Sequence, residues 1–514
     1  MNNDFLNIVC CHGLTGAICG DIIGLPYEFR GTRTKDFNFS MKFEDFSDDT
    51  ILSIAIAKWV MGTERTEERL RQLLLEYARR FKHKNVWGRG FMQWVESDGK
   101  MDRKGVTSNG AVMRVAAIGY ASDSLREVRR LADISARVSH DSDQASMAAQ
   151  AVATAILLTR KGLSKESIMN YVMNWYDYQS YRTNITHLPE KIRETYQFEI
   201  ECQKCVPEAF ACWYHSKTYE ETVRNAVSLG GDADTLAAIA GALAAATPGM
   251  AIPADIADRS FGLLPDDFRE TLKAFTVQEQ WGTTPPASES DFTDLGLSVL
   301  WRNSNLGASS PEQAGEFFAH NENAPKEVYK ESNYKNAKKE TAMVYDVPPM
   351  FEDYASPSSC EYTAYSTGTD TATALLGEGY RLPTPNELME LMSCCKQDYR
   401  TINSRRVLEL TAPNGRTLIL PCAGYRNDDY FDRPDEKDGY YPSRCSWNSV
   451  PGGGGPGADT GPNVADALKF GEGKPYDMSA VYRCVGLPVR AVKPLNDSPV
   501  SSNRWGRAIN WMHE

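Results

Sequence analysis

The chain has 514 residues, with 56 Lys and Arg against 68 Asp and Glu, so its formal net charge is −12; 42% of its residues are hydrophobic and 24% charged. That is an ordinary globular composition, and the length allows several domains, each large enough to bury a core. The acidic balance, with no Lys/Arg-rich run to interrupt it, removes the electrostatic basis for non-specific nucleic-acid binding, while a nucleotide-sized substrate remains compatible with it. No apolar run reaches membrane-spanning length, and the N-terminal stretch lacks Lys or Arg before its apolar residues, which argues against a secretory signal. Twelve cysteines, including the adjacent pairs Cys10-Cys11 and Cys394-Cys395, lack the regular framework of a secreted scaffold. They read as mostly reduced thiols of a cytoplasmic protein.

In chain order, residues 51–61, 69–81, 147–159, 223–229 and 236–246 carry apolar side chains at helical spacing, and strand alternation is scarce among them. The spacing predicts a helical first domain over residues 1–275. Residues 276–290 contain QEQWGTTPPASES, the composition of a linker. Beyond it, over 291–494, short apolar runs at 297–301, 416–420 and 485–492 alternate with Gly, Asn, Asp and Pro, which predicts strands and long loops. One helix is expected there: Thr384-Pro385-Asn386-Glu387 combines a Thr cap, proline at the first helical position and Glu three residues after the cap. The glycine-rich residues 451–463 predict a surface loop, and residues 495–514 a loosely packed tail.

Two acidic motifs precede apolar helical segments. Ser47-Asp48-Asp49-Thr50 stands before ILSIAIAKWV, and Gly230-Gly231-Asp232-Ala233-Asp234-Thr235 before LAAIAGALAAA. Helix N-termini favour Asp and Ser, so each motif alone is explained by capping. Together they offer four Asp with Ser and Thr hydroxyls, an all-oxygen set that hard cations such as Mg²⁺, Mn²⁺ or Ca²⁺ prefer. If the two helix starts converge, they could hold two metals about 3.5–4 Å apart, able to share a substrate oxygen or an attacking water. Two other patterns are weaker. Asp232-Ala233-Asp234-Thr235 is similar to the Asp-x-Asp-x-Thr loop of haloacid-dehalogenase-type phosphatases, but the Thr is one position early. Cys202, Cys205, Cys212 and His215 give a superficial zinc spacing, although CVPEAFACWYH reads as one amphipathic helix.

The series Gly16-Ala17-Ile18-Cys19-Gly20-Asp21-Ile22-Ile23-Gly24, Glu28, Ser47-Asp48-Asp49-Thr50, Ser108-Asn109-Gly110-Ala111-Val112-Met113-Arg114, Ser139-His140 and Gly230 to Thr235 resembles the ADP-ribosylglycohydrolases over about residues 10–275. The resemblance implies an all-α domain that binds two divalent cations, Mg²⁺ or Mn²⁺, and removes ADP-ribose from an ADP-ribosylated protein or a small ADP-ribosyl compound. Carried over by position, it makes Ser47, Asp48, Asp49, Asp232, Asp234 and Thr235 the metal ligands, with Ser47 where the family usually has Thr. It names Glu28 as the acidic group handling protons, with Asp48, Asp49 and Asp234 sharing the catalytic centre. It places Asn109, Gly110, His140, Gly230 and Gly231 against substrate. Asp21 either supports a ligand or caps a turn. Read from the residues alone, Ser108 to Arg114 offers backbone N–H groups and a flexible glycine suited to a diphosphate or ribose, or else a simple turn, while Glu28 could equally be a solvated carboxylate and His140 a packed residue.

A second series, Asp294 to Ser309 with Trp301, then Phe317-Phe318-Ala319, Gly379 to Glu387, Leu420 to Arg426 and Val489-Arg490-Ala491-Val492, resembles C-type-lectin-like modules of the Fibrobacter major paralogous type over about residues 291–494. That resemblance implies an α+β fold whose long loops, 320–375 and 426–465, present a surface to a protein or glycan. Cys422, Cys445 and Cys484 form no defensible catalytic pair, and the acidic loop at Asp428, Asp429 and Asp432 is better read as solvated than as a calcium site. The expected whole is a multidomain hydrolase with a C-terminal recognition module. Its alternatives are an ADP-ribose-binding protein without turnover, or a lectin-like interaction protein with the helical domain as scaffold.

Overall fold

The run ILSIAIAKWVM is apolar on nearly every face, so a helix built from it must be surrounded, and residues Asp48–Met61 form such a buried helix. The computed structural model describes residues 3–39, 45–176, 187–277, 291–335, 370–428, 437–447 and 464–495. Most of the linker, the glycine-rich loop, the central parts of both long loops, the tail from residue 496, and Asp429 and Asp432 lie outside the described residues. The chain divides into two compact units, Met1–Thr284 and Pro285–Glu514. No helix among the described residues is long and apolar enough to cross a membrane.

Among the described residues of the first unit the regular elements are helices, joined by loops and by the isolated bridges Lys104–Asp141 and Ser108–Glu201. The five segments with helical periodicity lie in the helices Asp48–Met61, Glu67–Arg80, Asp143–Arg160, Tyr219–Ser228 and Ala233–Ala246. Hydroxyl caps set several of the starts: Thr66 accepts from Arg69 N, Ser142 from Ala145 N and Thr218 from Glu221 N. Gly13–Gly24 is a fully buried helix despite four glycines. Its packing explains the glycines. A Cβ on Gly16 would lie 2.3 Å from Gly241 O, on Gly20 2.1 Å from Ala237 O, and on Gly24 2.5 Å from Ala233 O. Hydrogen at every fourth position thus lets the Gly13–Gly24 and Ala233–Ala246 backbones touch. The contact also brings the end of one helix beside the start of the other, and that is where the acidic residues lie.

The second unit carries short antiparallel strands: β1 (Phe292–Thr293), β2 (Val299–Arg302), β3 (Phe317–Phe318), β4 (Lys396–Ile402), β5 (Arg405–Thr411), β6 (Thr417–Pro421), β7 (Asp438–Trp447), β8 (Val464–Gly471), β9 (Lys474–Tyr482), β10 (Leu487–Pro488) and β11 (Val492–Pro494). They form sheets ordered β1-β2-β11, β10-β3, β4-β5-β6 and β7-β8-β9. The capped helix appears as Pro385–Cys394 with a full capping box: Thr384 Oγ1 accepts from Glu387 N, and Glu387 accepts from Thr384 N. The apolar run 485–492 does not form one strand, because Arg490 turns inward between β10 and β11. Its buried guanidinium donates to Asn305 Oδ1, to the carbonyls of Arg302 and Asn303, and to Ile419 O. Asp428 accepts from Tyr329 N at 2.6 Å, so it serves as a loop tie.

Candidate active site

Asp21 is fully buried on the Gly13–Gly24 helix, and its carboxylate accepts from the backbone N–H of Ser47 at 3.0 Å, the N–H of Thr50 at 3.1 Å and the Thr50 hydroxyl. It therefore holds the start of the Asp48–Met61 helix. Ser47 also caps that helix, its Oγ accepting from Asp49 N at 3.1 Å. Capping and ligand readings thus coexist at the first motif. At the second they separate: Asp232 stands at the N-cap position of Ala233–Ala246 without a side-chain cap bond. Its carboxylate accepts instead from Asn109 Nδ2 at 2.6 Å.

The two motifs converge. Thr235 Oγ1 donates to Asp49 Oδ2 at 3.3 Å, and Ser47 Oγ reaches the same oxygen at 3.2 Å. Glu28 follows the Gly24 contact by one turn, and it joins Asp232 and Asp234 in a cluster whose ligand oxygens all lie within 4.8 Å of one another. Among the described residues it is the cluster of at least three His, Cys, Asp or Glu side chains placed to hold a metal ion. Cys202, Cys205 and Cys212 instead lie buried along the Cys202–Tyr214 helix as free thiols. Cys202 donates to Ser108 O and Cys205 to Glu199 O, so packing and hydrogen bonding account for them.

The electrostatics are those of crowded, buried carboxylates, with the buried Arg114 guanidinium close enough to Asp48 for the two charges to act on each other. Burial and then neighbouring carboxylates push Asp48, Asp49 and Asp234 well above the usual carboxylate range. Burial, followed by repulsion from Asp232 and Asp21, raises half-buried Glu28 to about 7. Among the described residues no Lys or Arg forms an ion pair with Asp21, Glu28, Asp48, Asp49, Asp232 or Asp234. Asp49 Oδ1 is buried without a hydrogen-bond partner. An orphaned carboxylate oxygen in an all-oxygen donor set fits a hard divalent cation, which would supply the missing charge.

The remaining expected residues surround this cluster. Asn109–Ala111 forms a short 3-10 turn, so the loop's N–H groups are less free than the sequence implied. Asn109 N donates to Ile200 O, Ala111 N to Ser108 O, and Val112 N and Met113 N to Asn109 O. His140 is buried with both ring nitrogens engaged, Nδ1 with Ser139 Oγ at 2.9 Å and Nε2 with Ser108 Oγ at 3.0 Å. Burial drives its pKa well below the ordinary value, so it is a neutral support beneath the loop. Gly110 makes room for that ring, since a Cβ there would stand 3.1 Å from Nε2. Gly230 and Gly231 have φ of +75° and +83°, the left-handed region that favours glycine. Sequence reasoning missed Arg33, which clamps the carbonyls of Leu229 and Tyr196 beside Gly230. An arginine in a loop carries no sequence signal for that role.

The sequence profile of the ADP-ribosylglycohydrolase family matches residues 10–283, more than half of the chain. The chain belongs to the ADP-ribosylglycohydrolase family. An uncharacterised protein of Archaeoglobus fulgidus is 32% identical over 276 residues, covering 47% of this chain and 87% of that protein. ADP-ribosylhydrolase ARH3 of Bos taurus is 26% identical over 312 residues, 46% of this chain and 84% of its own length, and the Homo sapiens protein of that name is 24% identical over the same span. The family match ends before the sheet-bearing unit begins.

Proposed function

We propose that this ADP-ribosylglycohydrolase-family protein is a divalent-cation-dependent hydrolase that cleaves the glycosidic bond of an ADP-ribosylated protein or small ADP-ribosyl compound and releases ADP-ribose. The observation that carries the reading is the meeting of two helix starts, 186 residues apart, around a buried carboxylate oxygen with no partner. Ser47, Asp48, Asp49, Asp232, Asp234 and Thr235 would hold two Mg²⁺ or Mn²⁺ ions. Such ions, when bound, lower the pKa of a coordinated water and draw charge from ribose hydroxyls.

The chain's own residues do the rest. Glu28 sits at the edge of the cluster with one side toward solvent, placed to take the proton of the attacking water as its oxygen bonds to the anomeric carbon, and to return it to the leaving atom. Asn109 fixes the Asp232 carboxylate, so that oxygen cannot rotate away from the centre. The reading keeps Asn109, Gly110, His140, Gly230 and Gly231 on the substrate side, with the missing side chains of the three glycines making room for His140, for Arg33, and for Phe198 and Tyr196.

For residues 291–494 the reading is a C-type-lectin-like recognition module for a protein or glycan, separated from the 1–275 catalytic domain by residues 276–290. Its short paired strands, capped helix and buried Trp301 and Arg490 support that fold. A cytoplasmic setting suits the ten free cysteines of the described residues, nine of them buried.

The test is release of ADP-ribose from arginine-linked, serine-linked and small ADP-ribosyl substrates with Mg²⁺, with Mn²⁺ and with chelator. Metal-dependent release that disappears in Asp48→Asn and Asp234→Asn is expected. Unchanged turnover in both variants would sink the reading, and metal-dependent ADP-ribose binding without release would make the protein a binder.

A further inference from the structure

Arg114 closes the Ser108 to Arg114 segment, and its guanidinium is fully buried. Nη2 donates to Ser135 O at 2.5 Å and to Ser139 Oγ at 2.8 Å, while Nε and Nη1 are buried without a hydrogen-bond partner. Leaving two donors dry is costly, and the charge of Asp48 acts against that cost. From this cation a chain of side chains leads back to the start of its own segment. Ser139 Oγ lies 2.9 Å from His140 Nδ1, and His140 Nε2 lies 3.0 Å from Ser108 Oγ.

What each group can donate and accept fixes the direction of every hydrogen in the chain. A guanidinium only donates, so Ser139 Oγ accepts from Arg114. Ser139 is fully buried, and among the described residues its hydroxyl oxygen meets Arg114 and His140 alone, so the hydroxyl hydrogen has one acceptor to reach, Nδ1. Burial, followed by the charges of Arg114 and Arg103, holds the His140 pKa well below its ordinary value, which removes the doubly protonated ring. A neutral ring that accepts at Nδ1 carries its hydrogen on Nε2 and gives it to Ser108 Oγ. Ser108 therefore keeps its own hydroxyl hydrogen. The residue is half-buried at the start of the Asn109–Ala111 turn and makes no side-chain cap bond there, and its neighbour Asn109 reaches Asp232 of the acidic cluster. With the chain reversed, Ser108 would spend its hydrogen on Nε2 and turn only lone pairs outward.

Resting on the hydrolase reading above, we propose that Arg114 is a positioning residue that acts through Ser139 to hold His140 as its Nε2–H tautomer, so that the Ser108 hydroxyl is left as a hydrogen-bond donor to an anionic oxygen of the bound ADP-ribosyl group.

The experiment is nitrogen NMR of the full chain with nitrogen-labelled histidine, the His140 signals being assigned by their loss in His140→Gln. Wild type is expected to show a protonated Nε2 and an unprotonated Nδ1. Arg114→Leu lets Ser139 accept from Nδ1 and donate to Ser135 O, and is expected to populate the Nδ1–H form. Ser108→Ala keeps the Ser139 donor and should keep the wild-type tautomer. If Arg114→Leu fails to fold, Ser139→Ala, which deletes the donor to Nδ1, is expected to lose the single tautomer and Ser139→Thr to retain it. In calorimetry at saturating Mg²⁺, Ser108→Ala is expected to bind ADP-ribose about tenfold more weakly than wild type, and Ser108→Thr within about twofold. A wild-type ring protonated at Nδ1, or Ser108→Ala binding as tightly as wild type, overturns the proposal. Both readouts are independent of turnover, so a wild type that binds ADP-ribose and releases none from any ADP-ribosyl substrate overturns the hydrolase reading alone.

Discussion

Thr235 donates its hydroxyl to Asp49 Oδ2 across 3.3 Å, while the other oxygen of that carboxylate is buried without a partner. One oxygen is thereby aimed by the second motif, and the other is the one a cation would take in the proposed centre. Retaining an uncompensated buried anion costs stability, so the same residue should weaken the metal-free protein and create its metal affinity. Asp49→Asn is expected to raise the melting temperature in chelator, by about 2–4 °C for each 1 kcal/mol of relieved repulsion, and to lower Mn²⁺ affinity in calorimetry. A variant that melts lower and binds Mn²⁺ as tightly as wild type would mark Asp49 as structural.

The pH dependence of the metal-free protein follows from the same charges. Asp48, Asp49 and Asp234 have folded-state pKa values raised well above the ordinary range, and Glu28 is raised to about 7. A carboxyl with a raised folded pKa binds more protons folded than unfolded, so stability falls as pH rises through the interval between its unfolded and folded values. With chelator present, the melting temperature is expected to fall as pH is raised from about 4.5 to 7, the window set by the unfolded and folded values of Glu28, and beyond it for the three aspartates. Saturating Mg²⁺ should flatten that slope, because the cation replaces the protons. A melting temperature that rises over this range in chelator would contradict the burial and repulsion that set these values.

Asn109 offers a cleaner probe of the centre because it supplies no proposed metal ligand. Its Nδ2 donates to Asp232 Oδ2 at 2.6 Å. Groups that orient a ligand are typically worth about 10–100-fold in metal affinity or activity. Asn109→Ala is expected to lower Mn²⁺ affinity within that range and to reduce ADP-ribose release at limiting metal more than at saturating metal. Equal losses at both concentrations would place Asn109 on the substrate instead.

Much of the candidate centre was readable before folding because its proposed ligands sit where local rules operate. Helix starts attract Asp and Ser, and apolar periodicity marks the helices that follow, so both acidic motifs announced themselves within a dozen residues. The Thr384–Glu387 capping box was legible for the same reason. Relationships at long range were not. Nothing in the sequence joins Asn109 to Asp232, 123 residues away, or Arg33 to the carbonyl of Leu229. His140 read as a substrate contact by resemblance, yet its two nitrogens are engaged by Ser139 and Ser108. The run 485–492 alternates like a strand, but burying Arg490 among Asn305, Arg302, Asn303 and Ile419 takes its centre out of the sheet.

The Gly13–Gly24 helix runs against propensity. Glycine costs a helix interior about 1 kcal/mol relative to alanine. Packing offsets that cost, since Gly16, Gly20 and Gly24 meet the backbone of Gly241, Ala237 and Ala233. The signal was the repeat of four, with small residues recurring at the same interval in both segments. Gly20→Ala is the sharpest test, because the added Cβ would stand 2.1 Å from Ala237 O, a backbone atom that cannot swing aside. Overpacking of this kind costs about 1–3 kcal/mol, more where backbone must separate, and the intrinsic gain from alanine offsets only about 1 kcal/mol of it. The variant is expected to melt lower, and because Asp21 rides on the displaced helix and Glu28 follows its end by one turn, to lose Mn²⁺ affinity as well. Gly262→Ala, in a helix where a Cβ would meet nothing within 4 Å, is the matched control and should be neutral or stabilising. Equal melting temperatures for the two variants would show that the helices can part without cost, and that their backbone contact does not place the site.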